Sequence, residues 1–411
     1  MSNKIYPIGI QNFEKIRQDG YFYVDKTALM YQMVKTGSYY FLSRPRRFGK
    51  SLLISTLEAY FQGKKELFTG LMVEKLEKDW IEHPILHLDL NIEKYDALES
   101  LDNILDKSLT AWEKLYGAEP SERSFSLRFA GIIERACQKT GQRVVILVDE
   151  YDKPMLQAIG NEDLQKQFRD TLKPFYGALK TMDGCIKFAL LTGVTKFGKV
   201  SVFSDLNNLK DISMDERFVD ICGITEKEIH DNLEEELHQL AEKQKMSYEQ
   251  VCAELKECYD GYHFMEHTIG IYNPFSLLNT FDKMKFGSYW FETGTPTYLV
   301  NLLKKHHYDL ERMAHEETDE QVLNSIDSES SNPIPVIYQS GYLTIKGYDE
   351  EFGIYRLGFP NREVEEGFVR FLLPYYANVN KVESPFEIQK FVREVRSGAV
   401  SYTHLTLPTI L

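Results

Sequence analysis

The stretch Arg44-Pro45-Arg46-Arg47-Phe48-Gly49-Lys50-Ser51 decides how this chain is read. In front of it stands a strand-like aromatic run, Tyr39-Tyr40-Phe41-Leu42, closed by Ser43. Behind it, Ser51 to Phe61 carries apolar residues at 52, 53, 57, 60 and 61, which is helical spacing. A loop between a strand and a helix aims backbone N–H groups at an anion, and the helix dipole favours phosphate there. In that frame Lys50 would reach the β- and γ-phosphates, and the Ser51 hydroxyl would ligate Mg²⁺. The candidate nucleotide-binding stretch is Arg46, Arg47, Phe48, Gly49, Lys50, Ser51 and Leu52. Arg44 stands where the pattern GxxxxGK(S/T) has its first glycine, a residue favoured where φ is positive. The plainer alternative is a basic strand-to-helix turn holding a chance Gly-Lys-Ser.

A second run weighs against chance. Val144-Val145-Ile146-Leu147-Val148 ends in Asp149-Glu150, the pattern of a buried central strand that delivers carboxylates to its C-terminal edge, where α/β ligands bind. Asp149 would help Ser51 hold Mg²⁺, and Glu150 would polarise the attacking water as general base. Asp152 would orient this turn or merely cap it. A third run, Ile186 to Leu191, ends in Thr192-Gly193-Val194-Thr195-Lys196. In ATPases with paired acids, the strand lying between the two motifs supplies a polar residue to the γ-phosphate or water. Thr192 is best placed for this catalytic role and Thr195 second, against the alternative of hydroxyls that satisfy their own turn. Arg46, Arg47, Lys196 and Lys199 are the basic residues near enough in sequence to neutralise phosphate charge. The implied cofactors are ATP and Mg²⁺.

Working outward, Ile85 to Leu90 reads as another buried strand, and Leu101 to Leu115 and Leu127 to Cys137 as helices. A further helix starts near Asp25, whose carboxylate can cap it. Buried strands alternating with helices predict an α/β fold with a parallel sheet covered by helices. From Thr225 to Cys258 the chain is charged and helical, and Glu234-Glu235-Glu236 reads as a solvated face. Asp319 to Pro335, with Ser328, Ser330 and Ser331, reads as a linker or exposed loop. Tyr342 to Lys346 and Ile354 to Leu357 then flank an acidic turn as a hairpin, before a helix capped by Asn361. Glu363, Glu365 and Glu366 sit near that helix's start, where the dipole favours anions. The predicted organisation is a P-loop NTPase core over 1–225, a helical region over 226–320, a small winged-helix-like module over 321–376 and an incomplete segment over 377–411. Ser401 to Leu411 lacks Asp, Glu, Lys and Arg and reads as a translated cloning or sequencing adapter behind a truncated gene, against a genuine short apolar tail.

The 411 residues are enough for two to three domains. With 43% hydrophobic and 13% aromatic residues the chain can fill cores, which excludes intrinsic disorder. A net charge of −14 argues against an extended basic surface for nucleic acid. No run approaches the ~20 apolar residues of a membrane span, no signal peptide is evident, and five cysteines without a CxxC pair read as reduced thiols of a cytoplasmic protein. His263 and His267 lack the Glu of HExxH and read as packed or surface residues, and His306 and His307 read as solvent-facing.

At these residues the chain resembles the AAA-ATPase-like family of P-loop ATPases, which often precede a PD-(D/E)XK nuclease domain. The resemblance is carried by Tyr23 to Thr27, Arg44 to Ser51 with its Arg-Pro-Arg-Arg start, Val148 to Pro154 and Thr192 to Lys196. It continues through Tyr259-Asp260-Gly261-Tyr262-His263-Phe264, Ile271 to Leu277, Gln339 to Ile345 and Gly358 to Asn361, and so spans about residues 5–376. It implies that Arg44 is a family trait, that the chain hydrolyses ATP with the catalytic Glu beside the metal-binding Asp, and that a helical and winged-helix-like region follows the core. It also implies that Phe13 and Tyr23 to Lys26 pack on the adenine. The resulting expectation is a Mg²⁺-dependent ATPase coupled to a nucleic-acid-processing partner or a missing nuclease domain. The alternative is a nucleotide-binding switch with negligible turnover. Partners are expected through the C-terminal region, protein ahead of DNA, and an oligomer stays open. No nuclease activity is expected of this chain: beyond residue 376 the acids are Glu383, Glu387 and Glu394, and none has Lys two positions later.

Overall fold

The computed structural model describes residues 4–196, 202–203, 206–291, 303, 316–324 and 332–376. Its central sheet has five strands, β1 (Tyr39–Ser43), β2 (Ile85–Asp89), β3 (Val144–Asp149), β4 (Ile186–Gly193) and β5 (Lys210–Asp211). Their spatial order is β2-β3-β4-β1-β5, and every neighbouring pair is parallel. Continuous apolar runs explain why β1 and β3 are buried along their whole length. Alternation of side chains sorts them into two cores. Tyr40, Leu42, Val145 and Leu147 face one, and Phe41, Ile146, Val148 and Leu191 face the other.

Among the described residues eight α-helices accompany this sheet: α1 (Phe13–Gln18), α2 (Thr27–Thr36), α3 (Lys50–Phe61), α4 (Met72–Leu76), α5 (Glu99–Tyr116), α6 (Phe125–Thr140), α7 (Lys153–Gln157) and α8 (Glu162–Thr181). The helix expected near Asp25 begins at Thr27, whose N–H donates to Asp25 Oδ1 at 2.8 Å. An α/β core with helices on both faces of a parallel sheet is therefore present, as the alternation predicts.

Beyond it, β6 (Ile224–Thr225) and β7 (Ile271–Tyr272) form an antiparallel pair beside α9 (Glu226–Gln244), α10 (Tyr248–Tyr259) and α11 (Pro274–Lys283). The helical stretch expected from 225 to 258 is two helices, because Lys245 turns left-handed at φ 57° and Ser247 caps the next. Of the solvated face expected of Glu234 to Glu236, Glu234 and Glu235 are exposed and Glu236 needs correction. Glu236 is fully buried and its carboxylate accepts Lys4 Nζ at 2.9 Å.

A three-stranded antiparallel sheet, ordered β8-β10-β9, follows. It comprises β8 (Glu317–Asp319), β9 (Thr344–Asp349) and β10 (Ile354–Gly358), and helices α12 (Glu320–Asn324), α13 (Ile334–Gln339) and α14 (Arg362–Tyr376) adjoin it. The loop expected over 319–335 is corrected in its described part, where α12 and the start of α13 stand. The hairpin is formed by β9 and β10, and Asn361 Oδ1 accepts the Val364 N–H at 3.1 Å as the helix cap. Lys199, His306, His307 and the segment 377–411, with the adapter-like tail, lie outside the described residues.

Candidate nucleotide-binding site

At the C-terminal edge of the parallel sheet lies a cavity of about 580 Å³. Arg46, Arg47, Gly49, Lys50, Ser51 and Leu52 line it from the loop behind β1, and Glu150 lines it from the turn behind β3. The strand order explains their meeting, since only β4 separates β1 from β3. Gly49 adopts φ 98°, and a Cβ there would meet nothing within 4 Å. Its glycine is required by the backbone turn, not by space. Lys50, 4% exposed, donates from Nζ to the Arg44 and Pro45 carbonyls at 3.1 and 3.3 Å. The same Nζ lies 3.5 Å from Glu150 Oε1.

Glu150 sits at φ 54°, a left-handed conformation uncommon outside glycine and held only where the surroundings impose it. Asp149 supplies part of that constraint, its Oδ1 accepting the Glu150 N–H at 3.1 Å and the Thr192 hydroxyl at 2.6 Å. Thr192 is fully buried and stands behind the cavity wall, so its hydroxyl reaches Asp149 and not the cavity. Asp152, also fully buried, accepts the Thr195 N–H and hydroxyl at 2.6 and 2.7 Å and ties the turn behind β3 to the end of β4. Burial, helped by the Glu150 charge, pushes Asp152 up to about 6.

Not every candidate residue lines this cavity. Phe48 is 1% exposed and wedges between Tyr262 and Phe264, with ring centroids 4.8 and 5.7 Å away. Lys196 Nζ lies 2.9 Å from Asp211, its side chain buried away from the cavity. Phe13 is a core residue, and Tyr23, Val24 and Lys26 line a smaller cavity of about 100 Å³. That cavity shares Pro7, Gly49, Leu52, Pro274 and Leu278 with the large one. Arg44 is a structural bolt. Its guanidinium donates to the Ser43, Ser213 and Phe218 carbonyls at 2.8–3.1 Å and stacks 4.0 Å from the Phe264 ring. Positive φ falls on Arg47 and Gly49, not on Arg44, so the loop turns without a first glycine.

The sequence reading missed two walls of the cavity. One is Pro7 to Gln11, and the other comprises Phe275, Trp290, Phe291 and Tyr342. Arg47 stacks on Phe275 at 3.8 Å, and the Trp290 indole N–H donates to the Arg46 carbonyl at 2.9 Å. Within the resemblance, Ile271 to Leu277 already contained Phe275 and Gln339 to Ile345 contained Tyr342, two available pointers to this wall.

Residues 7–203 match a family described as a predicted AAA-ATPase. The chain is 39% identical over 381 residues to an uncharacterized protein in the vnfD 5′ region of Azotobacter chroococcum mcd 1, covering 92% of this chain and 71% of that relative. The chain belongs to the AAA-ATPase-like family. In this AAA-ATPase-like chain the matched segment holds β1 to β4 and all the loop residues from Arg44 to Lys196 discussed above. The aromatic wall of the cavity lies beyond it. Among the described residues no helix is long and apolar enough to cross a membrane.

Proposed function

We propose that the chain binds ATP with Mg²⁺ and hydrolyses it, with Glu150 as general base. The supporting observation is that Lys50, Ser51 and Glu150, from two loops on either side of β4, line one cavity. The donor set suits a nucleoside triphosphate: four cationic residues, Arg46, Arg47, Lys50 and Lys153, and an open glycine turn at the head of α3. Ser51 and Asp149 offer hard oxygen ligands of the kind Mg²⁺ takes. Among the described residues no three His, Cys, Asp or Glu side chains form a metal cluster, so Mg²⁺ would share its coordination with phosphate oxygens. When bound, it would neutralise charge developing on those oxygens. Thr192 holds Asp149 in orientation through the 2.6 Å hydrogen bond. Phosphate would draw Lys50 away from Glu150, whose carboxylate would then accept a proton from water. Coupling to a protein partner or DNA through a winged-helix-like 321–376, or to a nuclease domain, belongs to the same proposal.

Turnover of the purified chain, with and without DNA, tests this reading beside Glu150→Gln. The variant should keep nucleotide affinity and lose turnover by about 100-fold or more. Equal turnover in both would overturn the base. Tight binding without turnover in the unsubstituted chain would favour the switch.

A further inference from the structure

We propose that Trp290 and Glu363 are positioning residues that couple the nucleotide cavity to α14, so that occupancy of the cavity and stability of that helix's first turns change together. The proposal rests on the nucleotide reading of the cavity. Three wall residues, Trp290, Phe291 and Tyr342, touch three positions of one helix.

Trp290 makes the polar link. Its indole N–H holds the Arg46 carbonyl at 2.9 Å, and its backbone N–H donates to Glu363 Oε1 at 2.7 Å and to Ser276 Oγ at 3.1 Å. Glu363 lies in the first turn of α14 and is only 7% exposed, so the carboxylate is committed to this strap and not to solvent. Phe291 makes the second contact. Its ring occupies the space that a Cβ at Gly367 would need, so it rests directly on the helix backbone. Glu363 and Gly367 are four residues apart and therefore share a helix face. Tyr342 makes the third, with its ring centroid 5.3 Å from Phe368 and 5.4 Å from Trp290.

The cavity wall and one face of α14 are thus the same packed layer. A polyanion against Arg46, Arg47 and Lys50 acts on the loop whose carbonyl Trp290 holds. Close-packed layers transmit such a displacement instead of absorbing it. Coupling of binding free energies is reciprocal, so a change in α14 must alter nucleotide affinity by the same factor.

Amide hydrogen exchange on the full chain, with Mg²⁺ and a non-hydrolysable ATP analogue, reads the coupling. Calorimetry records binding independently. Exchange across 362–370 should slow by about fivefold or more on binding. Trp290→Phe, which keeps a ring but loses the indole N–H, should lose most of that slowing at analogue concentrations that saturate it. Gly367→Ala, outside the cavity, should shift the analogue's Kd by a comparable factor. Binding with unchanged exchange at 362–370, or an unchanged Kd in Gly367→Ala, overturns the coupling alone. No binding by calorimetry overturns the nucleotide reading and the coupling with it.

Discussion

Lys50 Nζ lies 3.5 Å from Glu150 Oε1, joining the loop behind β1 to the turn behind β3 across the strand that separates them. Lys50's side chain is 3% exposed and Glu150's 21%, so the pair stands where the cavity meets the protein interior. A partly dry ion pair of this kind is costly to break by removing one partner, and it readily yields one charge to a stronger competitor. On the proposed nucleotide reading, phosphate would be that competitor for Lys50.

Lys50→Ala should therefore weaken ATP binding by about 10- to 100-fold, the weight of a charge-assisted hydrogen bond. Titration calorimetry checks it. Unchanged affinity would mean that the cavity holds its ligand without this loop.

Thr192→Val keeps the shape of a fully buried residue and removes the hydroxyl that Asp149 accepts at 2.6 Å. Partners that orient a metal ligand are worth about 10–100-fold in metal affinity. The Mg²⁺ concentration for half-maximal turnover should rise by about tenfold, and Thr192→Ser should restore it. A valine variant with an unaltered Mg²⁺ requirement would show that Asp149 needs no such support.

The parts of the site legible in the sequence are those set by local chemistry. Gly49 before α3 and Asp149-Glu150 at the end of an apolar run announce themselves by neighbouring residue types alone. Where a side chain's direction depends on distant packing, the same reading failed. Phe48 belongs to the loop by sequence, yet Tyr262 and Phe264 take its ring out of the cavity. Thr192 stands on the expected strand, but the buried position behind Asp149 is set by the register of β3 against β4. Glu236 reads as solvated because nothing local reveals Lys4, which meets it from the far end of the chain. Helix α8 went unread although its buried Leu164, Phe168, Leu172 and Phe175 are spaced for it.

Arg44 offers a test of that lesson. Arg44→Gly would restore the glycine of the common loop pattern, and a reading by motif alone expects improvement. The structure predicts damage, because the carbonyls of Ser43, Ser213 and Phe218 would lose a buried charged donor and Phe264 its stacking partner. The loss should be about 3 kcal/mol in chemical denaturation. A variant as stable as the parent would show that these bonds are replaced by water.

Glu363 carries the pH dependence most open to measurement. Burial raises its carboxyl to about 7 from the ordinary 4.5, even though Ser276 and the backbone N–H groups of Tyr289, Trp290 and Phe291 pull it down. Tyr262 and Tyr259 are the other titratable groups that sense its charge. Because the folded-state value lies above the unfolded one, the native chain holds a proton between pH 4.5 and 7 that the unfolded chain has released. Stability from this group is thus fully present below pH 4.5 and is lost as pH rises through 7, by about 3 kcal/mol in all. Asp152, raised to about 6, slopes the same way, so the difference between two chains is the cleaner measurement. Glu363→Gln keeps an oxygen acceptor for Trp290 and cannot ionise. Its denaturation free energy relative to the parent should therefore climb as pH rises from 4.5 to 7 and level off above. Parallel pH profiles for the two chains would show that Glu363 titrates as an exposed carboxylate and that the strap to Trp290 is open in solution.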